Sequence, residues 1–134
     1  MHRVVAQILG VIIGVLAIAG FFVEGTLLLN LMNVDLVLDI TRAVLAAALL
    51  IVGFTHVSDT VTRSVVGIVG ALYIAMGVLA FADATLFGLL PTGLTGFDIG
   101  FHLVVGAVAV VLAVLSEHAL TRRRPTAAPP HQTA

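Results

Sequence analysis

From Val4 to Val23 the chain runs twenty residues without a charged side chain, and Gln7 is the only uncharged polar one among them. A helix of about 20 residues, rising 1.5 Å per residue, crosses a hydrocarbon core about 30 Å thick, so this run reads as a transmembrane helix. A secretory signal would also place a basic residue, here Arg3, before an apolar run with small residues such as Ala17 and Ala19. The run is long for a signal, and an internal repeat described below argues that it is retained.

Three further apolar stretches follow, over about Leu36 to His56, Val65 to Phe81 and Asp98 to Leu115. With 60% hydrophobic and 10% charged residues the chain is far from the roughly 45–50% apolar, 25% charged norm of soluble domains. Its 134 residues hold four spans and hardly a fifth. The expected fold is an all-α membrane protein of four transmembrane helices over residues 1–120, followed by a disordered cytoplasmic tail over 121–134. That tail has three Arg, three Pro and almost nothing apolar to bury. Between the spans, Thr26 to Asp35 and Asp83 to Phe97 read as segments along one membrane surface, and Ser58 to Arg63 as a short polar turn.

Orientation comes from the arginines. Four spans place Arg3, Arg63, Arg122, Arg123 and Arg124 on one side and leave Arg42 opposite, so the positive-inside rule puts both termini in the cytoplasm. Arg122, Arg123 and Arg124 are also placed to attract anionic lipid headgroups. A net charge of −1 supplies no basic field for nucleic acid, and a chain without cysteine has no disulfide, thiol nucleophile or iron–sulfur ligands.

The two halves are alike. Arg3 matches Arg63, Ile8 Ile68, Gly10 Gly70 and Phe21 Phe81 at a spacing of sixty; after a one-residue shift Thr26 matches Thr85, Asp39 Asp98 and Ile40 Ile99. Each unit is helix, surface segment, helix, and two tandem units of two spans would be related by a pseudo-twofold along the membrane normal.

The start of the last span, Asp98-Ile99-Gly100-Phe101-His102-Leu103-Val104-Val105-Gly106, follows Leu86-Phe87-Gly88-Leu89-Leu90-Pro91. This resembles an uncharacterised family of small four-helix membrane proteins common in actinobacteria, in which a Leu-Leu-Pro segment leads to an acidic or Asn residue and a His-Leu-x-x-Gly helix start. The resemblance implies fold and location and attaches no activity. The family pattern tends to recur in the first half, where this chain has Ala43 opposite His102 and Met32 opposite Pro91.

Two sets of residues stand out. Small residues at every fourth position, Ala6, Gly10 and Gly14 in the first span and Gly67, Ala71 and Ala75 in the third, with Gly106 in the fourth, would let helices approach closely within the chain or in a homo- or hetero-oligomer. Asp98 and His102 share a face with Gly106, so the imidazole should point into the bundle within hydrogen-bonding reach of Asp98. Asp39 and Arg42, three residues apart, should form a salt bridge at the same outer end. This cluster of Asp98, His102, Asp39 and Arg42 either anchors the helix ends or binds a proton or small solute. His56, Glu117 and His118 gather at the inner end in exposed turns, with no convergent ligand pair for a metal or haem, and no cofactor is expected. No serine-centred triad, phosphate-cradling loop or mid-membrane carboxylate points to an enzyme or a proton-coupled exporter. The expected role is a structural or accessory membrane subunit, with a small-solute or proton-linked transporter as the alternative.

Overall fold

In the computed structural model, which describes residues 1–23 and 31–121 and side chains up to residue 115, the described chain is four helices and their connections. They are α1 (His2–Phe22), α2 (Leu36–Phe54), α3 (Asp59–Ala82) and α4 (Gly96–Thr121), and all four are long and apolar enough to cross a membrane. The tail with Arg122, Arg123 and Arg124, part of the first surface segment, and the side chains of Glu117 and His118 lie outside the described residues.

Capping explains where the helices begin. Asp35 ends the connection before α2 and accepts from the Val37 N–H at 3.0 Å, while the Thr95 hydroxyl accepts from the Asp98 N–H at 3.2 Å at the start of α4. Ser58 does the same for α3, accepting from the Val61 N–H at 3.3 Å. The polar residues Asp59 to Arg63 therefore form the first turns of α3 and not a separate turn, because Ser58 satisfies a donor that an apolar helix start would leave exposed.

The connection from α3 to α4 is also more than a surface strap. Asp83 accepts from the N–H and hydroxyl of Thr85 at 2.8 and 2.6 Å, and the Leu94 N–H donates to the Ala84 carbonyl at 2.8 Å. Between them Leu86, Phe87 and Gly88 are all left-handed, with φ of 49°, 61° and 86°. This turn tucks Leu86, Leu90 and Leu94 into a buried cluster with Leu38 and Ala80, while Phe87 and Leu89 face outward. A non-glycine pair at positive φ is unfavourable, and burying three leucines offsets it.

The helices form two antiparallel hairpins, α1 with α2 and α3 with α4. Gly10 packs against Leu49 and Leu50, and Gly70 against Ala109 and Val110; Gly14 meets Ala46 where Ile74 meets Gly106. These contacts recur at a spacing of sixty. So do the buried positions, His2, Ala6, Leu9, Gly10, Ile13, Ala17 and Gly20 in α1 against Thr62, Val66, Val69, Gly70, Tyr73, Gly77 and Ala80 in α3. In α2 and α4 Leu38 pairs with Asp98, Arg42 with His102, Ala46 with Gly106 and Leu49 with Ala109. The burial register therefore runs without the one-residue shift taken from the sequence, and sets His102 opposite Arg42 instead of Ala43.

The small-residue stripe of α3 needs a second correction. Gly67 touches Ala113, but Ala71 and Ala75 are exposed, and the close approach to α4 is made by Gly70 and Gly77. At 3.6 residues per turn a strict spacing of four drifts about 40° per step, so the stripe rotates off the packed face, which follows alternating steps of three and four. In α1 Ala6 and Gly10 are buried, and Gly14, one step further, is half-buried.

A buried ionic cluster as candidate site

Where α1 and α3 end and α2 and α4 begin, the bundle encloses Asp39, Arg42 and Asp98. Arg42 of α2 donates from Nη1 to Asp39 Oδ1 at 3.0 Å, one turn back on the same helix. Its Nη2 reaches across to Asp98 Oδ1 of α4 at 3.3 Å, tying the two hairpins together. Exposure is 1% for Asp39, 3% for Arg42 and 0% for Asp98 and His102, so water does not screen these pairs.

Asp98 is the hub. Its second oxygen, Oδ2, accepts from the Asn33 N–H at 2.8 Å, the Thr95 N–H at 3.0 Å and the Thr95 hydroxyl at 2.8 Å. The connection before α2 is thereby fastened to the start of α4. Thr92 extends the fastening, its one hydroxyl proton shared between Asn33 Oδ1 at 2.8 Å and Asp35 Oδ2 at 3.2 Å, and the Thr95 hydroxyl shares its proton between Asp98 Oδ2 and the Leu31 carbonyl, also at 2.8 Å. On the α1 side Gly20 has no room for a side chain, since a Cβ there would fall into the Asp39 carboxylate.

His102 joins the cluster differently from the sequence expectation. The Asp98 carboxylate is already occupied, and it is the Asp98 backbone carbonyl that meets His102 Nδ1, at 2.6 Å. A carbonyl only accepts, so Nδ1 carries the proton and Nε2 of the neutral ring is a bare acceptor. The imidazole stacks on Tyr73 of α3, with centroids 4.8 Å apart and 26° between planes, and Phe101 meets it edge-on at 6.1 Å. His102 Nε2, the Tyr73 hydroxyl, Arg42 Nε and Asn33 Nδ2 are buried without a protein hydrogen-bond partner.

The four site residues singled out from sequence, Asp98, His102, Asp39 and Arg42, therefore meet at one end of the bundle. Tyr73, Asn33, Thr92 and Thr95 complete the cluster and were not anticipated. Tyr73 carried a signal: it is the one tyrosine of the chain and lies on the face of α3 that holds Gly70 and Gly77. At the opposite end Arg3 donates to the Val57 carbonyl at 2.8 Å and Gln7 to the Gly53 carbonyl at 2.9 Å, while His2 is buried with neither ring nitrogen bonded. Among the described residues no group of three His, Cys, Asp or Glu could hold a metal ion. No family model, curated protein or solved structure matches the chain.

Proposed function

We propose that the chain is a multi-pass membrane protein that acts without catalysis, as a structural or accessory subunit held together by its buried ionic cluster. The observation that carries this reading is the inversion of polarity. Large aliphatic side chains such as Ile8, Val15, Val44, Ile51, Ile68, Val78, Val104 and Val111 face outward on every helix, while Asp39, Arg42 and Asp98 face inward. A bilayer rewards that arrangement and water penalises it. In this reading both termini are cytoplasmic in the cell membrane, the cluster lies at the outer surface, and the shared burial register reflects two hairpins related by a pseudo-twofold along the membrane normal.

The cluster suits a tie better than a gate. Both oxygens of Asp98 are engaged by partners from α2 and from two connections, so releasing a substrate through it would break the fastening between the hairpins. The second reading, a carrier of a proton or small solute, is favoured by the unpaired His102 Nε2 and Tyr73 hydroxyl beside it. Affinity capture from native membrane and ion or solute flux in liposomes separate the two. A reproducible membrane partner without flux supports the accessory role; flux by the purified chain, lost in Arg42→Met, overturns it in favour of transport.

A further inference from the structure

The two ends of the bundle show different chemistry to their surroundings. Where α2 leads into α3, His56, Ser58, Asp59 and Thr60 are exposed, and Arg3 and Arg63 are half-buried beside them. At the cluster end every ionisable side chain among the described residues is buried except Asp83, which is half-buried. Arg42, the one cation described there, is turned inward onto carboxylates.

Phenylalanine takes the place of charge at this end. Six of the seven in the chain, Phe21, Phe22, Phe81, Phe87, Phe97 and Phe101, lie in the last turn of α1 or α3, in the first two turns of α4 or in the connection between them. Phe54 alone is at the other end. Phe22, Phe81 and Phe87 are 84%, 73% and 72% exposed. They come from both hairpins and from a connection, so whatever covers them surrounds the end of the bundle and does not dock on one side of it.

Length and charge identify that surrounding. Arg3 to Val23 and Arg63 to Asp83 are each twenty residues, and at 1.5 Å per residue that is about 30 Å, the thickness of a hydrocarbon core. With the two arginines at one headgroup layer, Phe22 and Phe81 fall just inside the opposite boundary. The connection returns to the same depth, since Leu86 and Leu90 pack in one cluster with Ala80 while the left-handed Phe87 faces out. Phenylalanine lacks the polar tip by which tyrosine and tryptophan straddle such a boundary, so it belongs on the acyl side. Among the described residues no exposed cation at this end is there to meet phosphate.

We infer that Phe22, Phe81 and Phe87 form a lipid anchor, a belt sunk into the acyl chains of one leaflet just beneath its headgroups. Gly20, against which the Asp39 carboxylate packs, lies three residues further in than Val23, so the belt sets the ionic cluster about one turn below the boundary. The anchor rests on the membrane reading above and adds to it the depth of this end.

The test uses the full chain, which has no tryptophan of its own, reconstituted in phosphatidylcholine vesicles. Tryptophan is introduced singly by Phe81→Trp, by Phe87→Trp and, at an exposed position in the middle of α3, by Leu72→Trp. Its emission is followed with lipids brominated either near the headgroup or near the chain end, and with iodide in the water. Leu72→Trp should lose most emission to the deep bromines whether or not the belt exists, so it reports on the membrane reading alone. Phe81→Trp and Phe87→Trp should lose most to the shallow bromines and little to iodide. If iodide quenches Phe87→Trp and neither brominated lipid does, that ring faces water and the belt is overturned, with the span left standing. If neither brominated lipid quenches Leu72→Trp, the membrane reading falls and the belt falls with it.

Discussion

Replacing Arg42 with Met keeps much of the side chain's length and removes its charge, leaving Asp39 and Asp98 buried together. Two ion pairs are lost, at 3.0 and 3.3 Å, and with both carboxylates at 1% exposure or less no water replaces them. Removing one partner of a buried pair costs about 3–5 kcal/mol. Asp98 keeps three donors on its other oxygen, so the cost stays within that range and does not double for two broken pairs. The measurement is reversible unfolding in bicelles, followed by helical circular dichroism, for the parent, Arg42→Met, and Arg42→Met combined with Asp39→Asn. The double variant should recover a large part of the loss, because it removes one of the two buried negative charges that the guanidinium had balanced. Arg63→Met, at the half-exposed start of α3, should cost no more than about 1 kcal/mol. If Arg42→Met is as stable as the parent, or if Asp39→Asn deepens its loss, the account of the cluster as a charge-compensated tie is wrong.

Gly106→Ala should destabilise by about 1–3 kcal/mol, because its Cβ would lie 2.7 Å from the Gly70 carbonyl oxygen and 2.8 Å from the Ile74 nitrogen; Ala75→Leu on the exposed face should shift stability by less than about 0.5 kcal/mol in the same unfolding assay. Since the chain lacks cysteine, Leu89→Cys and Thr60→Cys can be probed with a membrane-impermeant thiol reagent on intact cells, and labelling of Leu89→Cys alone is expected; the reverse pattern would invert the orientation. The hydrogen bonds from Thr85 hold the Asp83 carboxyl below the usual carboxylate range. A depressed folded-state value contributes stability that is present above about pH 4 and lost as pH falls through the folded-state value, so the protection of the Thr85 and Gly88 amides, taken relative to their intrinsic exchange rates, should fall in acid. Asp83→Asn should make that protection insensitive to pH over the same window.

The four apolar helices were legible because long runs free of charge mark helices able to cross hydrocarbon directly. Asp39 and Arg42 were legible for a related reason, since two opposite charges one turn apart have an obvious use for each other. The rest of the cluster depends on connections whose path no periodicity encodes. Asn33 and Thr95 reach Asp98 only once the segments before α2 and α4 have folded over the bundle end, and those contacts occupy the carboxylate that would otherwise serve His102. The matched Asp-Ile pairs at 39–40 and 98–99 suggested a shifted register, yet burial follows helix geometry and ignores identity, so a buried Leu38 stands where the other hairpin has Asp98. The start of α3 was missed because a capped helix tolerates polar residues in its first turns that an average over the segment reads as a break.

The split of the ionic cluster between helices also bears on how the protein is made. On the proposed membrane reading an isolated arginine or aspartate would cost up to roughly 2.5–3.5 kcal/mol at a helix centre and less toward the helix ends, where this cluster lies. α2 carries both Arg42 and Asp39 and leaves the ribosome as a self-neutralised segment, whereas α4 brings Asp98 without a cation among its described residues one turn either side. Synthesis runs from α1 to α4, so the arginine is already in place when the last helix emerges. On the proposed membrane reading the second hairpin therefore inserts with the partner of Asp98 already made, and a chain reordered to make α3 and α4 first would have to hold Asp98 on an apolar helix unaccompanied until Arg42 was translated.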